Sequence, residues 1–220
     1  MVRKVFDEQL LQLKELLVKT GELNCEAIAL AVTALETQDA SLARRTKAVE
    51  RLVDEKEREI ERLCLKLIVK QQPVAGDLLF VTSAMKMITD LERIADQAVD
   101  ISDLVIKMSQ LPYAESLAEI SEMAECVQEM VRGAAKSFVE RDGDLAKAVC
   151  RKDDRVDDLF ETVKSKLTGI LHRDVEAEEN GEQALDLLMV AKYLEKIGDH
   201  ASNIAEWVLF MLTGEHKKLN

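Results

Sequence analysis

The residues best suited to chemistry are acids that recur four apart. Glu92, Asp96 and Asp100 form one run, and Glu195 and Asp199 form another in which Asn203 takes the third place. On an α-helix such residues line one strip. Glu50, Asp54 and Glu57 make a similar strip upstream of the first run, and Asp157 precedes the second. Carboxylates gathered at one level repel one another by roughly a few kcal/mol unless protons, Lys or Arg side chains, or a cation compensate them. Oxygen-rich sets of this kind suit hard or borderline cations such as Mg, Ca, Mn or iron. The same acids also fit a solvated face with intrahelical ion pairs.

Other chemistries find no footing. Di-iron bundles use Glu-x-x-His on two helices, and no such spacing occurs here. No Gly-rich phosphate loop, nucleophile elbow or His-Glu-x-x-His is present. Cys25, Cys64, Cys126 and Cys150 are scattered without a Cys-x-x-Cys pair, which excludes zinc-ribbon and redox motifs and predicts small apolar packing groups. His172 and His216 have no partner pattern and read as surface residues. His200 follows Asp199 and reads as a packed imidazole or as a support for the strip, and Trp207 as packing. A non-enzymatic protein is predicted.

Long helices must position these acids. Phe6, Leu10, Leu13, Leu17, Thr20, Ala27, Ala31 and Ala34 alternate three and four apart, the seam of a bundle helix that breaks near Gln38-Asp39-Ala40. Leu42, Val49, Val53, Ile60, Leu63 and Leu67 mark a second helix, stopped by Gln71-Gln72-Pro73. Asp77 reads as the N-cap of a third, whose seam runs Ala84, Met87, Leu91, Ile94, Ala98, Ile101, Val105, Met108. It ends near Leu111-Pro112, and Ser116 with Glu119 reads as a capping box opening a fourth helix.

The pattern then repeats. Adding 103 converts Asp54 to Asp157, Glu92 to Glu195 and Asp96 to Asp199, and it carries Leu91, Ile94, Ala98 and Ile101 onto Leu194, Ile197, Ala201 and Ile204. Helical periodicity reproduces apolar matches easily, but not acids in register, so the chain is an internal duplication. The predicted fold is all-α, two tandem three-helix bundles related by a pseudo-twofold repeat, with units 1–111 and 112–220. The first hairpin turns near residue 74, which brings Asp54 and Glu92 to within roughly 3 Å of the same height at 1.5 Å per residue. A second turn around Glu176 to Gly181 pairs Asp157 with Glu195 in the same way. Glu22, Glu26, Glu125 and Glu129 of the first and fourth helices are further candidates for the strips.

Composition limits the partners. A formal charge of −12 opposes nucleic acid and anionic membrane surfaces. No apolar stretch reaches the ~20 residues of a membrane span, and acids interrupt the N-terminus where a signal peptide needs its apolar run. A cytoplasmic protein without direct membrane insertion is expected.

Gln71-Gln72-Pro73-Val74-Ala75-Gly76-Asp77-Leu78, followed by Asp90-Leu91-Glu92-Arg93-Ile94-Ala95-Asp96-Gln97-Ala98-Val99-Asp100-Ile101, closely resembles the PhoU family. Tyr193-Leu194-Glu195-Lys196-Ile197-Gly198-Asp199-His200-Ala201-Ser202-Asn203-Ile204 resembles that family's second motif. The resemblance spans essentially the whole chain. It implies a cytoplasmic, usually dimeric regulator that accompanies the phosphate-specific ABC transporter and restrains the phosphate-starvation response by linking the transporter's ATPase to a sensor histidine kinase. It further implies metal binding, with iron, zinc, magnesium or manganese as the ions. Glu92, Asp96, Glu195 and Asp199 become the first-choice ligands, ahead of Asp100, Asn203, Asp54 and Asp157. Ala95 and Gln97 depart from the usual Gly and His or Leu, whereas Gly198 and His200 keep the Gly and His. The alternative is a helical scaffold or accessory of another phosphate or ion transporter, without bound metal.

Overall fold

A computed structural model describes residues 2–108, 118–173 and 178–215. They form six helices: α1 (Val2–Thr37), α2 (Ala40–Gln71), α3 (Gly76–Met108), α4 (Ala118–Glu140), α5 (Gly143–Arg173) and α6 (Glu178–Thr213). The unit boundary predicted at residues 111 and 112, Ser116 of the capping box and Glu176 of the second turn lie outside the described residues.

Local chemistry explains where the helices break, and it repeats at the same offset. Gln38 (φ 53°) and Arg141 (φ 57°) both take the left-handed conformation that ends a helix. Asp39 then caps α2, its Oδ1 accepting from the Ser41 and Leu42 amides at 2.7 and 3.3 Å. Asp142 does the same for α5, accepting from Asp144 and Leu145, both at 3.0 Å. At the α2–α3 corner one expectation is corrected. Asp77 is not the N-cap of α3 but lies inside its first turn. Left-handed Ala75 (φ 48°) starts the helix earlier, its carbonyl accepting from the Leu79 amide at 3.1 Å. Asp77 still acts favourably, because a negative charge in the first turn suits the helix dipole.

Packing follows the apolar seams. Leu91, Ile94, Ala98, Ile101 and Val105 of α3 are fully buried, as are Leu194, Ile197, Ala201 and Ile204 of α6. Within each half the three helices pack pairwise, and across the halves α1 meets α4 and α3 meets α6. Among the described residues, α2 and α5 touch only helices of their own half. Four central helices are therefore flanked by α2 on one side and α5 on the other, each flank laying its acids beside α3 or α6.

Inter-half contacts define an antiparallel arrangement. Asp90, near the middle of α3, meets His200 and Asn203, past the middle of α6, and Lys107 at the end of α3 reaches Asp186 near the start of α6. On the other face the Cys25 thiol donates to the Gln128 carbonyl at 3.7 Å, a pair related by the repeat itself. A Cβ on Gly21 would stand 3.0 Å from that of Ala135, so this glycine permits the close approach of α1 and α4. Cys25, Cys64 and Cys150 are buried and Cys126 is half-buried, all as free thiols. No described helix is long and apolar enough to cross a membrane.

Candidate functional site: two acidic strips

The first strip lies between α2 and α3. Glu50, Asp54 and Glu57 project from α2, and Glu92, Asp96 and Asp100 from α3. Asp96 is exposed and the other five are half-buried. The expected match in height is realised, since each helix's acids act on the other's. Burial raises the Glu92 carboxyl above its ordinary range, with further pushes from Asp96, Glu57 and Asp54. Asp96 is raised by burial and then by Asp54, against the lowering effects of Arg93 and of a side-chain hydrogen bond with Glu92. Glu50 and Glu57 are raised the same way, by burial first and then by Asp54, with Asp96 contributing to both. Asp100 is raised by burial, Asp96 and Asp103. Among the described residues only Asp54 of the six forms an ion pair, with Arg58 at 3.3 Å.

The second strip, between α5 and α6, is compensated from within. Lys192 Nζ lies 2.6 Å from Glu195 Oε1, and Lys196 Nζ lies 3.4 Å from Glu195 Oε2. Lys196 also pairs with Asp199, which raises the ammonium pKa. Lys192 stands 5.2 Å from the Phe160 ring centroid, within cation–π range. The positions equivalent to Lys192 and Phe160 in the first half are Thr89 and Glu57.

Asp153, which holds the place of Glu50, was absent from the sequence-derived set and is the most buried acid of either strip, at 4% exposure. Burial first, then the charges of Asp199 and Asp157, push its carboxyl up to about 6, opposed by the Ser202 hydroxyl. Gly198 makes room for it: a Cβ there would stand 3.1 Å from Asp153 Oδ1 and 3.5 Å from Val156 Cγ1. Ala95 fills that place in the first half, where the longer Glu50 lies further out. Asp157 is exposed and raised by burial, Glu195 and Asp199, with Lys192 pulling it down.

The remaining candidates disperse. Asn203 turns away from Glu195 and Asp199 and donates to Asp90 Oδ1 of the first half at 3.3 Å. His200 joins it there, Nδ1 at 2.9 Å from the same oxygen. Tyr193 occupies the position of Asp90 in the second half, its phenol raised by burial and by Asp100. Glu22, Glu26, Glu125 and Glu129 are exposed on α1 and α4; Glu22 pairs with Lys19, and Glu129 with Lys152. None of the four is among the charges that shift the strip carboxylates. Trp207 packs edge-on against Phe210, centroids 5.7 Å apart. The side chains of His172 and His216 lie outside the described residues.

A signal for the missed residues was present in the sequence. The shift of 103 maps Glu50 onto Asp153, and Lys192 and Lys196 lie three before and one after Glu195. Asp90 had no such signal, because its partners lie more than a hundred residues away.

As arranged, no three Asp, Glu, His or Cys side chains among the described residues converge tightly enough to hold an ion. The donor chemistry of the first strip nonetheless fits a hard cation: six carboxylates share the groove, Glu50, Glu57, Glu92, Asp96 and Asp100 are raised by burial and by neighbouring acids, and among the described residues the six form a single ion pair.

Six helices in two repeated triplets, each carrying one acidic strip between its second and third members, define a duplicated helical-bundle protein. A family model described as PhoU domain matches residues 17–105 and again 120–208, the same offset of 103. The chain is 34% identical over its full length to the whole of the phosphate-specific transport system accessory protein PhoU homolog of Clostridium acetobutylicum. It is 36% identical to the homolog of Aquifex aeolicus, over 96% of this chain and 94% of that one. The crystal structure of PhoU from Pseudomonas aeruginosa superposes with a TM-score of 0.89 at 30% identity, covering 96% of this chain and all of that one. That of the phosphate transport system regulatory protein PhoU from Streptococcus pneumoniae gives 0.87 at 27% identity, covering 97% and 100%. This chain belongs to the PhoU family.

Proposed function

We propose that this chain is a non-enzymatic regulatory accessory of a phosphate ABC transporter, linking the transporter's ATPase to a sensor histidine kinase and restraining the phosphate-starvation response. The observation that carries the reading is full-length likeness to proteins named as accessories or regulators of phosphate transport, both repeats included. The absence of a membrane-crossing helix among the described residues suits a protein that meets its transporter from the cytoplasm. Pulldown of the tagged full chain from cells at high and low phosphate tests it. Recovery of the transporter ATPase and a histidine kinase is expected, and recovery of neither at either phosphate level refutes it. Light scattering of the purified chain checks the homodimer that the family resemblance implies.

The acidic strips are read as cation sites. Glu92, Asp96 and Asp54 of the first strip are the principal oxygen donors, with Asp100 beside them. Glu195, Asp199 and Asp157 are their counterparts. A bound cation of the Mg, Mn, Fe or Zn type would neutralise the strip and change the surface offered to a partner. The acids themselves fix where that charge change occurs, at the groove between each hairpin's helices. Elemental analysis of protein purified without chelators or a metal-affinity tag tests this. Absence of stoichiometric metal, together with unchanged melting after metal addition, sinks it.

A further inference from the structure

The two strips share a frame but not a charge balance. At the position of Thr89 the second half has Lys192, and at the position of Glu57 it has Phe160. Lys192 is held from two sides, by Glu195 Oε1 at 2.6 Å and by the Phe160 ring at 5.2 Å. Lys196 hydrogen-bonds Asp199 and stands within ion-pair range of Glu195 Oε2, 3.4 Å away, a buried oxygen that accepts no hydrogen bond. A dication arriving there meets an ammonium group on Glu195 Oε1 and another on Asp199 Oδ2, and any ammonium it fails to displace repels it. In the first half Arg93 holds the position of Lys196, yet among the described residues Glu92 and Asp96 form no ion pair, with Arg93 or any other cation; the one ion pair of that strip is Asp54 with Arg58.

We propose that Lys192 and Lys196 are resident counter-ions that close the second strip to metal, so that a divalent cation loads the strip of Glu92 and Asp96 and not that of Glu195 and Asp199. The proposal rests on the cation reading given above for the strip of Glu92 and Asp96, withdraws it for that of Glu195 and Asp199, and assigns the two copies different roles: an open site that responds to cations, and a copy occupied by two resident ammonium groups.

Titration of the chelator-treated full chain with Mn(II), counting free Mn(II) by electron paramagnetic resonance, separates the two. Glu92→Gln with Asp96→Asn is expected to weaken binding at least about tenfold, and Glu195→Gln with Asp199→Asn by less than about twofold. Lys192→Thr with Lys196→Gln is expected to add Mn(II) equivalents, which disappear when Glu195→Gln and Asp199→Asn are added. Equal losses from the two acid pairs, or no gain on removing the lysines while the wild type binds, overturn this inference alone. Absence of Mn(II) binding by every variant overturns the cation reading and this inference with it. Melting in EDTA examines the counter-ions without metal. Lys192→Thr with Lys196→Gln should lower the midpoint when Glu195 and Asp199 are intact and leave it unchanged when both are neutral. An identical shift in the two backgrounds rejects the counter-ion assignment.

Discussion

The two acidic strips show how one helical frame carries two electrostatic solutions. In both, the second helix of a hairpin faces the third at the same height, and Asp54 and Asp157 stand opposite Glu92 and Glu195. The first strip leaves its acids to repel one another across the groove, and Glu50, Glu57, Glu92, Asp96 and Asp100 are displaced upward. The second brings in Lys192 at the place of Thr89, seats Lys196 on Asp199 where the equivalent Arg93 forms no ion pair among the described residues, replaces Glu57 by Phe160, and tucks one short acid beneath a glycine. The exchange is coordinated: Gly198 with Asp153 in one copy corresponds to Ala95 with Glu50 in the other. A short acid needs the missing methyl to reach the helix, whereas a long one can lean out and tolerate it. Charge balance is thus decided by four or five side chains, while the shared apolar seams set the geometry.

The steric half of this comparison breaks most visibly. Gly198→Ala forces a methyl to 3.1 Å from Asp153 Oδ1, and the neighbour is a short, buried side chain that cannot swing clear. A loss of about 1–3 kcal/mol in urea unfolding is expected. The matching Ala95→Gly in the first half has no such clash and should cost about 1 kcal/mol, from helix propensity. Next in size is Asp153→Asn, which removes the most buried charge of the site and should stabilise the protein at pH 7 by something on the order of 1–2 kcal/mol. Its pH dependence has a definite sign. The Asp153 carboxyl sits at about 6 in the fold against an ordinary 3.8, so the folded state takes up its proton first. Stability therefore rises as pH falls from 7 toward 4, most steeply between about 6 and 4. Melts at stepped pH should show that rise in the wild type and a shallower one in Asp153→Asn.

How legible this was in the sequence depended on distance along the chain. The helices, their breaks and the duplication followed from periodicity and from acids in register, because a 3.6-residue repeat and a fixed shift of 103 are local or linear signals. The facing of Asp54 and Glu92 followed from counting residues on either side of one turn. The start of α3 did not follow, because left-handed Ala75 sets it and a non-glycine at positive φ leaves no compositional mark. The Asp90–His200–Asn203 contact was hidden for another reason: it depends on α3 and α6 crossing antiparallel, which tertiary packing alone decides. Lys192 and Lys196 stand three before and one after Glu195, but which acids they pair with depends on rotamers that spacing alone does not set.

Smaller effects sharpen the electrostatic half. Glu92→Gln with Asp96→Asn relieves repulsion in a strip with one ion pair and should raise metal-free stability by about 0.5–1 kcal/mol. Glu195→Gln with Asp199→Asn strands two lysines instead and should lower it by about 0.5 kcal/mol. Opposite signs in EDTA-treated protein distinguish open from compensated strips, and equal signs would erase the distinction.

The finest test isolates one carboxylate pair in each copy. Asp54 acts on Asp96 across the first groove, and Asp199 acts on Asp157 across the second. A double-mutant cycle with Asp54→Asn and Asp96→Asn should return a repulsive coupling of about 0.3–0.5 kcal/mol, the scale of like charges that face each other on exposed helices. The equivalent cycle with Asp157→Asn and Asp199→Asn should return less than about 0.2 kcal/mol, because Lys196 is already paired with Asp199 and Lys192 pulls on Asp157. Added salt then discriminates further. Mobile ions screen exposed pairs over a Debye length of about 10 Å at 0.1 M and about 3 Å at 1 M. The first coupling should therefore fade between those concentrations while the second stays near zero. Couplings of equal size at low salt would mean that the lysines do not reach the field between the two aspartates, whatever their distance from Glu195.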